Sequence, residues 1–212
     1  MPRISRLTLL VLTLVVSACT AIRPAQPPLL SPFGDGTQWI VWQDIDFVVV
    51  MNDKTQRTLR VPKGFVTDLA STPPEVWKWY PPFGKYLSAS ILHDYLYWRG
   101  ESLCTQEQAD KIFAQTMADA GVDRQTQARF FLALKARGKK ALSDNAAESS
   151  QGLIRVLPPE YLDEPDKRAP NEIWSRLRER LQKAGIKERP QPTDQEIALA
   201  CPSLGNEIKV DT

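Results

Sequence analysis

Wound into a helix, residues 85–99 are apolar on nearly every side: Leu87, Ala89, Ile91, Leu92, Tyr95, Leu96 and Trp98 leave no wide polar face. Such a helix is buried at the centre of a fold, and the other elements must pack around it. It also carries the chain's single histidine, His93, with Asp94 beside it. Burying that pair costs several kcal/mol unless each group is partnered, so the helix must face a polar cavity or other charged groups along one side.

The segments before it are short and β-like. Trp39–Trp42 and Phe47–Met51 are rich in β-branched and aromatic residues, Asn52-Asp53-Lys54 supplies a turn, and Thr58–Val61 gives another strand before Pro62-Lys63-Gly64. Their spacing predicts a small antiparallel β-meander. After the central helix, Thr105 with Gln108 forms a capping-box signature. It opens a helix through Ile112, Phe113 and Met117 that stops at Gly121. Asp123 caps a third helix carrying Phe130, Phe131 and Leu134, ended by Gly138. Residues 34–140 therefore read as an α+β core domain, a meander followed by a three-helix cluster. Beyond Ala141 the chain turns small and polar, and Pro158, Pro159, Pro165 and Pro170 break any long element. One amphipathic helix is expected over Pro170–Ala184, with Ile173, Trp174, Leu177 and Leu181 on one face, and a short last one from Thr193 to Cys201-Pro202. Residues 141–212 read as a mostly irregular and helical arm.

At the other end, Arg3 and Arg6 precede the apolar stretch Leu7–Val16. It is too short to cross about 30 Å of hydrocarbon as a helix but matches the apolar region of a secretory signal. Val16-Ser17-Ala18-Cys19 resembles the lipobox of bacterial lipoproteins, in which Cys19 is lipid-modified and becomes the mature N-terminus. Residues 1–18 are then the signal peptide. Residues 19–33, with Pro24, Pro27, Pro28 and Pro32, are a semi-rigid tether. Thr20 stands where an Asp would resemble an inner-membrane retention signal, so the expected location is the periplasmic face of the outer membrane, held by the lipid. The formal charge of +2 comes from Arg3 and Arg6, and residues 19–212 carry 25 basic and 25 acidic side chains. That balance speaks against a nucleic-acid partner. Cys104 and Cys201, in an oxidising compartment, form either a disulfide or two separate buried thiols.

Candidate chemistry gathers in two stretches, Val61–Pro73 and Ile91–Tyr97, the second followed by Asp110. One histidine excludes sites of the His-Glu-x-x-His type, and no Cys-x-x-Cys is present. Asp68, Ser71, His93, Asp94 and Asp110 allow three readings. Carboxylates with an imidazole suit a divalent metal that activates water. Because neighbours on a helix point about 100° apart, His93 with Asp68 and Asp110 is the better ligand set than one using Asp94 as well. Alternatively His93 activates Ser71, oriented by Asp94 or Asp110, although no Gly-x-Ser-x-Gly elbow surrounds that serine. In the third reading Asp68 and Ser71 cap a turn and His93 is a buried structural hub. Trp77, Trp79 and Tyr80, in a Pro-punctuated loop, are either a stacking platform for a glycan or peptide or a cover over the core.

Val-Pro-x-Gly-Phe-x-Thr-Asp-x-Ala-Ser-x-Pro at 61–73, His93-Asp94-Tyr95-Leu96-Tyr97 and Asp110 together resemble domain-of-unknown-function family 1353, common in bacteriophage and prophage genomes. The resemblance covers about residues 37–138 and implies no established activity. Two functions are expected. One is a lipid-anchored cell-envelope hydrolase, metal-dependent, acting on a substrate such as peptidoglycan. The other is a non-enzymatic interaction lipoprotein that blocks a receptor or joins an envelope or virion assembly through an envelope protein.

Overall fold

The computed structural model describes residues 20–70, 78, 81–163, 167–169 and 171–209. Among the described residues, two three-stranded antiparallel sheets and six helices make an α+β architecture. The first sheet has the order β1 (Ala21–Pro24), β4 (Ile45–Val50), β5 (Gln56–Val61). In β4 the period of two is plain: Ile45, Phe47 and Val49 are buried, and the alternate residues reach the other face. Pairing Phe47 with Leu59 and Ile45 with Val61 lays apolar partners on that inner face. The turn between β4 and β5 forms at Asn52–Lys54, with Lys54 at φ 67° and Asp53 Oδ1 accepting the Thr55 N–H at 2.9 Å.

The second sheet has the order β2 (Leu30–Pro32), β3 (Trp39–Val41), β6 (Val66–Thr67). The expected single meander is thus split in two, because β3 pairs with β2 and β6 and not with β4. Nor do residues 20–33 act as a free tether. Thr20 Oγ1 donates to Glu207 at 2.8 Å, the Ile22 N–H to Asp119 at 2.6 Å, and β1 and β2 are edge strands of the two sheets. Edge strands tolerate Pro24 and Pro32, which donate no hydrogen bond, so the same prolines that predict an extended spacer are compatible with a paired one.

Helix α1 (Leu87–Arg99) is the central element, with Ile91, Leu92, Tyr95 and Leu96 all buried against the first sheet's inner face. The ring of Tyr95 meets Phe65 edge-on at 5.1 Å. Helix α2 (Gln106–Asp119) begins at the Thr105/Gln108 capping box, and α3 (Arg124–Ser150) at Asp123, whose carboxylate accepts the Thr126 N–H. Helix α3 does not end at Gly138. It runs another twelve residues to Ser150, and the left-handed glycine that follows its end is Gly152, at φ 76°.

The boundary at residue 140 therefore falls inside a helix, and the residues beyond it belong to the core. Helices α4 (Glu160–Asp163) and α5 (Trp174–Lys183) cover the second sheet, where Trp174, Leu177 and Leu181 pack with Phe33, Ile40 and Val66. Helix α6 (Asp194–Glu207) continues past Cys201 with Pro202 inside it, and inserts Ile197, Ala200 and Leu204 into the core around α1. Pro202 removes one helical hydrogen bond, which the burial on either side of it offsets. Arg99 at the end of α1 binds Glu188 at 2.8 Å and Asp194 at 2.7 Å, and Cys104 and Cys201 form a disulfide across 97 residues.

A loop of that length, opened by replacing both cysteines with Ala, lowers the unfolding free energy by about 3–5 kcal/mol. Urea denaturation of oxidised wild type against the double variant measures it, and a difference under about 1 kcal/mol means the bond constrains little.

Candidate functional site

A cavity of about 240 Å³ lies between α1, α3 and the loop that follows β6. Helix α1 turns a single polar stripe toward it: Ser90, His93, Asp94 and Tyr97, spaced by three and four residues and so on one face. This is the polar side that the otherwise apolar helix required. Asp68, Leu69 and Ala70 form the opposite rim.

Two polar networks leave this stripe, and they differ in kind. In the first, His93 Nε2 lies 2.9 Å from Asp110 Oδ1, and the Tyr97 hydroxyl donates to the same oxygen at 2.7 Å. His93 also stacks on Tyr97 and Phe113, with ring centroids 4.1 and 4.9 Å away. Burial, and then the Asp110 carboxylate, push the Tyr97 phenol far above its ordinary range, so it stays a neutral donor. This network is closed: each group has its partner, and Asp110 does not reach the cavity. Gly138 completes it from α3. A β-carbon there would sit 2.5 Å from Gln106 Nε2 and 2.7 Å from the Tyr97 hydroxyl oxygen, so the glycine serves close packing and not helix termination.

The second network is open. Thr67 Oγ1 accepts the Leu69 N–H at 2.9 Å and donates its own proton to Asp94. Leu69 is left-handed, at φ 62°, a conformation costing about 1–3 kcal/mol for a residue other than Gly, and it re-aims the chain directly after Asp68. Asp94 is pushed well above the usual carboxylate range, first by burial and then by the negative charge and hydrogen-bonding contact of Asp68; Thr67 and Arg155 oppose the shift. The protonated form of Asp94 is therefore favoured beside a second carboxyl group, on a cavity wall.

Arg155 reaches the cavity on a segment placed by backbone pairing. Its carbonyl accepts the Val66 N–H at 2.8 Å, Val156 bridges to Phe65, and the Leu157 N–H donates to Gly64 at 2.9 Å. Gly64, at φ 90°, permits this, since a β-carbon there would lie 2.7 Å from the Leu157 carbonyl oxygen. The Arg155 guanidinium lies over Trp98, 5.6 Å from the ring centroid.

Of the residues singled out in the sequence, Asp68, His93 and Asp94 line the cavity, whereas Asp110 stands behind His93. The expected ligand set of Asp68, His93 and Asp110 does not form. Among the described residues no three His, Cys, Asp or Glu side chains are grouped to hold a metal ion. Asp110 is engaged by His93 and Tyr97, and Asp68 faces Asp94. Cys19, Ser71, Trp77, Trp79 and Tyr80 lie outside the described residues. Sequence reasoning missed Ser90 and Tyr97, although their spacing from His93 and Asp94 marks one helical face; nothing local marks Arg155.

The model of the family described as "Protein of unknown function (DUF1353)" matches residues 42–134. That span contains Asp68, His93, Asp94 and Asp110, and ends before Gly138 and Arg155. No curated protein and no solved structure matches the chain.

Two variants separate the networks. Between the unfolded and the raised folded pKa of Asp94 the folded state holds the extra proton, so stability falls as pH rises through that window. Asp94→Asn keeps an acceptor for Thr67 and removes this loss. Its Tm should exceed that of the wild type by about 2 °C or more at pH 8, with the advantage vanishing near pH 4, in paired thermal melts. Gly138→Ala should instead destabilise by about 1–3 kcal/mol in urea, although Ala is the better helix former by about 1 kcal/mol. A gain in stability there would sink the close-packing account.

Proposed function

For a chain that carries this family's domain over residues 42–134, we propose an envelope hydrolase, anchored by lipid on Cys19, whose acid–base pair is Asp68 and Asp94. The observation that carries the reading is the pairing of two carboxyl groups, Asp94 and Asp68, on the wall of one cavity, where burial and the Asp68 charge push the Asp94 pKa upward. A carboxylic acid beside a carboxylate supplies both halves of a hydrolysis. Asp68 takes the proton of an attacking water while Asp94 gives its own to the leaving group. Water activation is assigned to these carboxyls because, among the described residues, the acidic side chains of the cavity lie as a pair and not as a ligand set.

A purely structural role fits the pair poorly. Structural networks bring opposite charges or donor–acceptor pairs together, as His93, Asp110 and Tyr97 do. The Asp94–Asp68 contact instead places two acidic groups together and is reached through a strained Leu69, an arrangement that lowers stability and fits a site kept for chemistry. The compartment is supported by Arg3, Arg6, the apolar stretch and Cys19, and by the Cys104–Cys201 disulfide, which suits an oxidising envelope. An envelope polymer such as peptidoglycan is the substrate class that compartment offers.

Purified protein should cleave peptidoglycan fragments, with the rate unchanged by EDTA and falling on the alkaline side as Asp94 loses its proton. Asp94→Asn and Asp68→Asn should each lower the rate at least about 100-fold, with the fold intact. Wild-type protein silent on wall, peptide and ester substrates from pH 5 to 8 overturns the reading, and leaves the domain as a binding module for an envelope or assembly protein.

A further inference from the structure

We propose that the cavity takes a short ligand ending in a carboxylate and bearing small apolar groups, such as the C-terminus of a peptide, with the carboxylate held by Arg155 and Ser90. This deepens the hydrolase reading by naming the end of the substrate that enters, and it rests on that reading only for what happens after binding.

Among the described residues, two buried donors on the cavity lining have no partner. Ser90 is 3% exposed, stands one turn before His93 and Asp94 on α1, and its Oγ makes no hydrogen bond. The Nε of Arg155 is likewise buried without an acceptor, although the guanidinium rests on Trp98. Leaving a buried hydroxyl unsatisfied costs about 1–3 kcal/mol, and an uncompensated guanidinium N–H more, so both are arranged for an acceptor that arrives from outside. A carboxylate matches that need. It accepts from several donors at once, and its charge complements a guanidinium that never deprotonates. Arg137, also on the lining, adds a second cation.

The remaining walls set the size and polarity of the rest of the ligand. Leu69, Ala70, Phe113, Ala133, Leu134 and Ala141 are apolar, and three of them are alanines. At about 30 Å³ per water, the cavity volume equals roughly eight waters, the size of one or two small amino-acid residues. A chain end with methyl side chains is of that size. With the carboxylate on Arg155 and Ser90, the adjoining amide lies toward Asp94 and Asp68, and cleavage would therefore release residues from an end.

The probes are N-acetyl-D-alanine and N-acetyl-L-alanine, against the N-acetylalaninamides that lack only the charge. His93, the chain's single histidine, gives one set of ring resonances on the cavity wall, so NMR titration follows binding without turnover. At least one acid should bind and shift that signal, and its amide should bind at least about tenfold more weakly. Arg155→Gln should weaken the acid by about tenfold or more, and Ser90→Ala by about threefold, with Ser90→Ala no less stable than the wild type. Equal affinity for acid and amide, no binding of any probe, or an acid affinity untouched by Arg155→Gln overturns the proposal. If Arg155→Gln does not fold, the acid-against-amide comparison on the wild type decides alone. Repeating the titration in Asp94→Asn separates the two readings: selective binding there with a silent wild-type hydrolysis assay sinks only the hydrolase. Hydrolysis without carboxylate selectivity sinks only this assignment.

Discussion

Helix α1 has to be buried on almost every side and yet has one edge that cannot be covered with apolar groups. The first sheet, α2 and α6 satisfy its apolar faces through one continuous cluster that includes Phe47, Leu59, Ile91, Leu96, Ile112 and Leu204. The stripe of Ser90, His93, Asp94 and Tyr97 admits no such cover without leaving polar groups desolvated and unpaired. What meets that edge is the loop carrying Asp68, the turn of α3 at Gly138, the segment carrying Arg155 and the Phe113 ring against His93. Where these elements do not touch α1, the cavity remains. The site is what is left when a central helix keeps four polar residues on one face.

Those four residues meet two different energetic fates. His93 and Tyr97 converge on one oxygen of Asp110 and stack on each other, a closed arrangement in which every group gains a partner. Such a network orients the imidazole and fixes α1 against α2. Asp94 is held by Thr67 but faces Asp68, and Ser90 faces nothing. A carboxyl whose ionised form is disfavoured, a non-glycine residue in the left-handed region and a hydroxyl unpaired among the described residues each lower stability, and all three lie on the same cavity. Three costs in one place, with a satisfied network next to them, separate the reactive edge of the stripe from its structural edge.

Much of this was legible from local patterns. The all-apolar helix, the capping box at Thr105, the cap at Asp123 and the turn at Asn52–Lys54 depend on neighbours within a few residues, and each is seen where those residues place it. The errors share a different cause. Pro24 and Pro32 predict an extended chain whether or not a strand pairs with it, and pairing is decided by β3 and β4, which are distant in sequence. Gly138 predicts a helix end because glycine usually serves there, but the constraint on it comes from Tyr97 and Gln106 on other helices. In the site, Asp68, His93 and Asp94 were legible as motif residues; that Asp110 serves His93 rather than a metal depends on the hydroxyl of Tyr97, whose partner lies thirteen residues on.

The division of the chain also explains why the site needs residues far beyond the family match. Residues 42–134 supply Asp68, His93, Asp94 and Ser90, the acid–base pair and its helix, but not Arg137, Gly138 and Arg155 of the cavity wall. Gly138 and Arg155 come later, and Arg155 is placed by backbone pairing with β6 that only Gly64, inside the matched span, permits. The Arg155 and Val156 N–H groups donate to Glu188, which also receives Trp98 and Arg99 from α1, so one half-buried carboxylate ties the late segment to the central helix. The disulfide at Cys201 fixes α6 to the start of α2 and closes the chain around the same helix. Acid chemistry from the matched segment and the cation that would select its substrate thus reach one cavity only after the C-terminal third has wrapped back. Removing that third would uncover Asp94 to water, lower its pKa toward that of an ordinary carboxyl, and abolish the acid together with the arginine.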